Sequence, residues 1–297
     1  MYMSIKLVAS DLDGTIISEN NYINKSNLEA IDMMNNNNIN FAICTGKSYS
    51  VSKNLCEKCN ATYGIFSNGS QIYNLKTGTP IFKSSLDYSD LKYCFDVAKK
   101  FHLHVHAYSD NQLITERLEF LDSRNFKLQK FPGFEFIITE NVLDYIKKNE
   151  LPIYQFVISG YSSLQNVKEE ISKASNVSIL RISKFGQYKD KILDKEYEYL
   201  SIVPTNTSKS NALDILGKYL SISSDEIMAI GDNLNDVDMV KKSGVGVAVA
   251  NAYSELKDVA KYVTHNDVSA GGFAEAVYKF ISFDNKEQIW KNQRFFQ

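Results

Sequence analysis

No stretch of the 297 residues approaches the roughly 20 consecutive apolar side chains that a membrane-spanning helix needs. The opening segment, Met1-Tyr2-Met3-Ser4-Ile5-Lys6-Leu7-Val8-Ala9-Ser10, breaks at Asp11 without a basic leader and a long apolar region, which argues against a secretory signal. Cysteine is scarce: four residues in a chain of this length are too few for a disulfide scaffold. Charge of one sign is also lacking. Thirty-three Lys and Arg against 35 Asp and Glu leave a net charge of −2, which excludes a generic basic surface for nucleic acid. No G-x-G-x-x-G follows the first apolar run, so the dinucleotide fingerprint is missing. These absences predict a soluble, cytoplasmic protein with neither nucleic acid nor membrane as partner.

What is present is ordinary for a folded protein: 44% apolar and 23% charged residues. The length is about twice that of a usual single domain, which predicts two domains or one with a large insertion. The first part alternates strand and helix. Ile5–Ser10 reads as a strand, and Leu28, Ile31 and Met34 repeat at helical spacing behind a capping box at Ser26–Glu29, with Asn35–Asn38 as the loop that ends this helix. Ile39–Cys44 is a strand, Ser48–Cys56 a helix and Tyr63–Phe66 a strand. This rhythm implies right-handed crossovers and a parallel sheet. It returns near the end, with helices at Ala212–Tyr219, Val237–Lys242, Ser254–Ala260 and Gly272–Ile281 and strands at Glu226–Ile230 and Val245–Val249.

Between these parts the pattern changes. Gln71–Leu75 and Pro80–Lys83 read as a hairpin around Lys76-Thr77-Gly78. A helix carrying Leu91, Cys94, Phe95, Ala98 and Phe101 on one face follows, then strands such as His102–Tyr108, Ile153–Ile158 and Tyr197–Val203. Helices near Glu119–Gln129, Val142–Lys148 and Leu164–Ala174 separate them. The fold expected is therefore α/β: a Rossmann-like, doubly wound parallel-sheet core formed by residues 1–83 and 204–297, with 84–203 as an inserted α+β domain. Cys56-Glu57-Lys58-Cys59 is a C-x-x-C without a second pair at zinc spacing, and reads as incidental helix cysteines; Cys44 and Cys94 read as core.

Four segments carry chemistry, each just after an expected strand or at a helix start, where ligands bind in open parallel sheets. Asp11-Leu12-Asp13-Gly14-Thr15 can aim two carboxylates at one small volume, one to attack and one to handle protons, if a cation offsets their repulsion. Cys44-Thr45-Gly46-Lys47-Ser48 offers a hydroxyl, a glycine and a helix N-terminus to an anion. Lys209, in Ser208-Lys209-Ser210, could neutralise phosphate charge. Gly231-Asp232-Asn233-Leu234-Asn235-Asp236 groups acids and amides as a hard-cation site requires.

In this order the segments resemble the haloacid dehalogenase superfamily of phosphohydrolases, in its Cof-like sugar-phosphatase branch with a large inserted cap. Asp11–Thr15 is similar to that family's D-x-D-G-T and Gly231–Asp236 to its G-D-x-x-N-D, with Met239 following. Ser67-Asn68-Gly69 resembles the N-G after the third strand. Asn251-Ala252, Lys257, Val263-Thr264 and Gly271-Gly272 resemble the C-terminal pattern. Two positions depart from it: Lys47 stands where arginine is usual, removing a bidentate donor, and Ser210 where glycine is usual.

The resemblance implies a magnesium-dependent phosphatase of small phosphorylated metabolites, a sugar phosphate or phosphorylated cofactor. Asp11 is then the nucleophile and Asp13 the acid and base. Asp11, the Asp13 carbonyl and Asp232 hold Mg2+, while Leu12, Thr45, Gly46, Lys209 and Asn235 hold the phosphoryl group. Asp236, Asn68 and Gly69 support them, and the inserted domain sets specificity. A phosphomutase and a catalytically idle sensor of phosphate compounds are the alternatives; an idle relative would be expected to lose Asp11, Asp13 or Asp232, and all three are present. Lys47, His104 and His106 are candidate substrate contacts. His102, His104 and His106 fall on one face if their segment is a strand, as a half-polar strand, a substrate-facing set or a second metal site. The tail with Trp290, Phe295 and Phe296 reads as packing or a loose terminus.

Overall fold

A computed structural model describes residues 4–18, 22–117, 133–161, 164–173, 176–190 and 195–283. The helix expected near 119–129 and the tail with Trp290, Phe295 and Phe296 lie outside the described residues. The chain divides into two compact units, one of residues 1–46, 53–82 and 208–297 and the other of 47–52 and 83–207.

The first unit is built on an eight-stranded sheet. Its strands are β1 (Leu7–Ser10), β2 (Asn40–Cys44), β3 (Tyr63–Phe66), β4 (Gln71–Asn74), β5 (Thr79–Lys83), β12 (Ile227–Gly231), β13 (Val245–Ala248) and β14 (Tyr262–Val263). Their spatial order is β14-β13-β12-β1-β2-β3-β4-β5. From β14 through β3 every pair is parallel, and β4 turns back antiparallel on β3. Strands β1, β3, β12 and β13 are buried at every position. That accounts for their unbroken apolar runs, since a parallel sheet covered on both faces has no polar side to alternate with. Each fully buried Leu or Val there contributes roughly 1.5–3 kcal/mol.

Helices α1 (Lys25–Asn36), α2 (Tyr49–Lys58) and α3 (Tyr88–Lys100) follow in chain order. The expected capping box at Ser26 is displaced: Asn24 caps α1, its carboxamide oxygen accepting from the Ser26 N–H at 2.9 Å. Asn24 prevails because its amide also donates to the Ser269 carbonyl at 2.7 Å, a tertiary tie that Ser26 does not supply. The cysteines are free thiols and buried. Burial pushes Cys44 and Cys59 up to about 12, so neither is a reactive thiolate at neutral pH.

The second unit holds β6 (His104–Tyr108), β7 (Gln112–Thr115), β8 (Glu135–Ile138), α4 (Val142–Lys148), β9 (Gln155–Gly160), α5 (Gln165–Ile171), β10 (Val177–Asp190) and β11 (Lys195–Pro204). Its sheet runs β10-β11-β9-β6-β7-β8 and is antiparallel except between β7 and β8. Val105, Ala107, Phe156, Ile158, Leu200 and Ile202 form one core with Leu91, Phe95, Val142, Ile146 and Val167 of α3, α4 and α5. Residues 47–52 belong with this unit, where the sequence assigns them to the other. Ser50 Oγ donates to the Asp110 carbonyl at 2.7 Å, and Val51 packs with Leu113 and Phe134.

The three histidines do not share a strand face. His102 sits in the turn closing α3 with φ of 55°, its N–H donating to the Lys99 carbonyl, and β6 opens only at His104. His104 and His106 do alternate together, opposite Ser159 and Val157 of β9. His106 is buried, with the Tyr108 ring edge-on at 5.4 Å between centroids.

After α6 (Lys209–Leu220), α7 (Val237–Lys242) and α8 (Ser254–Val259), the last helix of the first unit among the described residues is α9 (Gly272–Phe280). Phe273 of α9 meets Phe41 of β2 at 5.6 Å between ring centroids. Glu275 of α9 is fully buried and accepts from the Tyr262 hydroxyl at 2.7 Å and from the N–H groups of His265 and Asn266 at 2.9 Å. Burial alone would raise this carboxyl, but those donors outweigh it and hold it below its usual value. A depressed folded value means stability that is present above the unfolded value near 4.5 and is lost as pH falls through the folded one. Glu275→Gln is therefore expected to cost about 2 kcal/mol at neutral pH. Denaturant titrations should show the gap between the two proteins closing in acid.

Candidate active site

The order of the first sheet reverses at β1, which has β2 on one side and β12 on the other. Ligands bind at the carboxyl edge of such a switch point, and the segments singled out in the sequence emerge there. The Asp11 N–H donates to the Ile230 carbonyl of β12 at 2.9 Å, and the Thr45 N–H to the Ile65 carbonyl of β3 at 2.8 Å, so each loop leaves the sheet still in register with its neighbour.

Lys209 is the first residue of α6 and is 1% exposed. Its ammonium donates to Asp11 and to Asp236, the latter at 2.7 Å. Burial would push this lysine down, but Asp11 and Asp236 overcome it and the net direction is upward, so Lys209 is a fixed cation. Asp236, with no exposed surface, uses its other oxygen to accept from the N–H groups of Asp232 at 3.1 Å and Asn233 at 3.0 Å. Asp236 thus folds the loop that carries Asp232 and orients Lys209, with both of its oxygens engaged.

Asp11, Asp232 and Asp236 bring carboxylate oxygens within 4.8 Å of one another. Three carboxylates against one ammonium leave an excess of two negative charges. The cost is visible in their acidity: burial, offset only in part by Lys209, holds Asp11 well above its ordinary value, and burial and Asp236 push Asp232 up to about 6. A divalent cation would relieve this charge. The donors suit magnesium: hard oxygens, few in number. Since Asp236 is already engaged on both oxygens, Asp11 and Asp232 are the side chains that fit an ion. Thr15 steadies Asp232 through a hydrogen bond of 3.0 Å. Gly14, at φ of 85°, leaves that carboxylate its room: a Cβ there would come within 2.4 Å of Asp232 Oδ2. Asp13 is exposed at the same loop. Leu12 is buried, and its carbonyl accepts from the N–H groups of Ile16 and Ile17, which closes the loop on itself.

Ser67, Asn68 and Gly69 have successive φ values of 49°, 57° and 111°. A non-glycine residue in this region costs roughly 1–2 kcal/mol, so two in a row are strain held by their surroundings. Gly69 admits no side chain, because a Cβ would lie 2.3 Å from the Ser208 carbonyl oxygen ahead of Lys209. Asn68 accepts from the Asn235 amide at 3.1 Å, and Gly46 passes beside it. Asp11, Asp13, Thr45, Gly46, Asn68, Lys209, Asp232, Asn235 and Asp236 all belong to the first unit. Lys47, half-buried in the turn before α2, and His104 and His106 belong to the second. Ser210 is buried in α6 where glycine was the expected residue.

Sequence reasoning assigned no role to Asn251. Its amide donates to the Gly14 carbonyl at 2.8 Å while its oxygen accepts from the Val268 N–H at 2.9 Å, bracing the Asp11–Thr15 loop from the far side. The signal available was the Asn251-Ala252 pair of the C-terminal pattern, just beyond a buried strand.

A sequence profile described as haloacid dehalogenase-like hydrolase matches residues 8–277. The Bacillus subtilis protein YxeH is 26% identical over 282 residues, covering 93% of this chain and 98% of its own. The 5-amino-6-(5-phospho-D-ribitylamino)uracil phosphatase YcsE of the same organism is 25% identical over 287 residues, covering 94% and 97%. Among solved structures, a haloacid dehalogenase-like hydrolase from Bacteroides thetaiotaomicron shares the fold with a TM-score of 0.77 at 24% identity, over 94% of this chain and 100% of that one.

Proposed function

Since the chain belongs to the haloacid dehalogenase-like hydrolases, we propose that it is a magnesium-dependent phosphatase of small phosphorylated metabolites, working through an aspartyl phosphate on Asp11. The observation that carries the reading is the group of buried Asp11, Asp236 and Lys209 with half-buried Asp232 at the switch point of the sheet. The names of relatives that cover nearly the whole chain support the same reaction, and two of them are named as phosphatases of a phosphorylated ribitylaminouracil.

In this reading Asp11 attacks phosphorus in line. The bond from the Asp11 oxygen to phosphorus forms as the bond to the leaving oxygen breaks, and Asp13 gives that oxygen its proton. In the second step Asp13 takes a proton from water, whose oxygen displaces the Asp11 carboxylate and releases inorganic phosphate. Lys209, the Thr45 hydroxyl, the backbone at Leu12 and Gly46, and Asn235 hold the phosphoryl oxygens through both steps. Magnesium, when bound by Asp11, the Asp13 carbonyl and Asp232, supplies the positive charge that shields the attacking carboxylate from an anionic ester. Residues 47–52 and 83–207, with His104 and His106 on one sheet face, form the unit that distinguishes leaving groups.

Phosphate release from a panel of sugar phosphates and phosphorylated cofactors tests this. Activity is expected to vanish in excess chelator and to return with magnesium. Full turnover in chelator would overturn the metal assignment, and isomerised ester in place of free phosphate would make the protein a mutase.

A further inference from the structure

The geometry points to Asn68 as a positioning residue that sets the direction of the Asn235 carboxamide and ties the Thr45–Gly46 turn to the loop of Asp232. The inference rests on the phosphatase reading, in which Asn235 holds a phosphoryl oxygen. Asn68 is pinned at both ends. Its N–H donates to the Thr45 carbonyl at 3.2 Å, and its side-chain oxygen accepts from the Asn235 amide at 3.1 Å. It is 8% exposed and packs against Gly46, where a Cβ would come 3.1 Å from the Asn68 oxygen.

An amide nitrogen carries two hydrogens. Asn235 itself is exposed on the short turn Leu234–Asp236. With one hydrogen committed to Asn68, the plane of its amide is set and the second hydrogen has a defined direction. A donor fixed beforehand is the form in which hydrogen bonds stabilise developing charge.

The residue type follows from the same constraints. At φ of 57° the backbone favours glycine, asparagine or aspartate. Glycine has no oxygen to accept from Asn235. Aspartate accepts, but adds a negative charge beside a phosphoryl group. Asparagine alone meets both demands.

Four variants, assayed with magnesium and p-nitrophenyl phosphate, test the coupling. Asn68→Gly keeps the left-handed backbone and removes the carboxamide; it is expected to lower kcat about tenfold with the thermal midpoint unchanged. Asn68→Asp retains the acceptor; kcat is expected near the wild-type value and KM to rise, a split that a merely structural role would not produce. In an Asn235→Ala background, Asn68→Gly is expected to cost nothing further, because its effect runs through Asn235. Multiplying losses in this cycle, a wild-type kcat in Asn68→Gly, or a wild-type kcat in Asn235→Ala would each overturn the inference. Asp11→Asn is the separate control: its retention of turnover would overturn the phosphatase reading itself.

Discussion

Asparagine at position 11 is expected to abolish phosphate release, by about 10⁴–10⁶-fold, in a protein that folds at least as well as the wild type. The substitution keeps the shape and hydrogen-bonding capacity of the side chain and removes the charge that attacks phosphorus. It also lowers the excess negative charge shared with Asp232 and Asp236, which burial makes unfavourable. The thermal midpoint of the metal-free protein is therefore expected to rise, as it does where function is held at the expense of stability. Asparagine at position 13 separates the two carboxylates, because it spares the nucleophile and removes the proton relay, worth about 10²–10⁴-fold. An aryl phosphate has a good leaving group and needs little protonation in the first step. Asp13→Asn should release one burst of the phenol and then almost stop, whereas Asp11→Asn should show neither phase.

Lys209→Met carries the largest expected effect on the fold. Its ammonium lies between Asp11 and Asp236, all three inaccessible to bulk water or nearly so. Removing one partner of a buried ionic group leaves uncompensated charge, at a cost of about 3–5 kcal/mol. Denaturant unfolding should show that loss, and turnover should vanish with it. Adding Asp236→Asn removes one of the stranded carboxylates while keeping an oxygen for the N–H groups of Asp232 and Asn233. The double variant is expected to recover part of the stability and none of the activity. Recovery of turnover would mean that Lys209 matters only for folding.

The residues of this site were legible because a parallel sheet exports its chemistry to one edge. Asp11, Thr45 and Asp232 each follow an apolar run immediately, and the topology brings the ends of those runs together. The pairings between them were not legible. Thr15 and Asp232 are 217 residues apart, Asn68 and Asn235 are 167 apart, and no local pattern signals a hydrogen bond over such distances. The same holds for Asn24, which wins the cap of α1 through Ser269, 245 residues away. His102 misled for a different reason. Alternation at i, i+2 and i+4 reads as a strand face, yet the chain leaves α3 through a left-handed turn at His102 before β6 begins. Helices carrying a long apolar face were found with their ends nearly right, whereas short strands such as β7 and β8, four residues each, carry too few side chains to show their period.

The covalent step on Asp11 is the centre of the account, and trapping it is the most direct test. Asp13→Asn, mixed with magnesium and an aryl phosphate and quenched in acid within the burst, can be digested and its peptides weighed. One phosphoryl group is expected on the peptide that carries Asp11, stable in acid and removed by hydroxylamine as an acyl phosphate is. A phosphoryl group on another residue, or phosphate release without any labelled peptide, would contradict it.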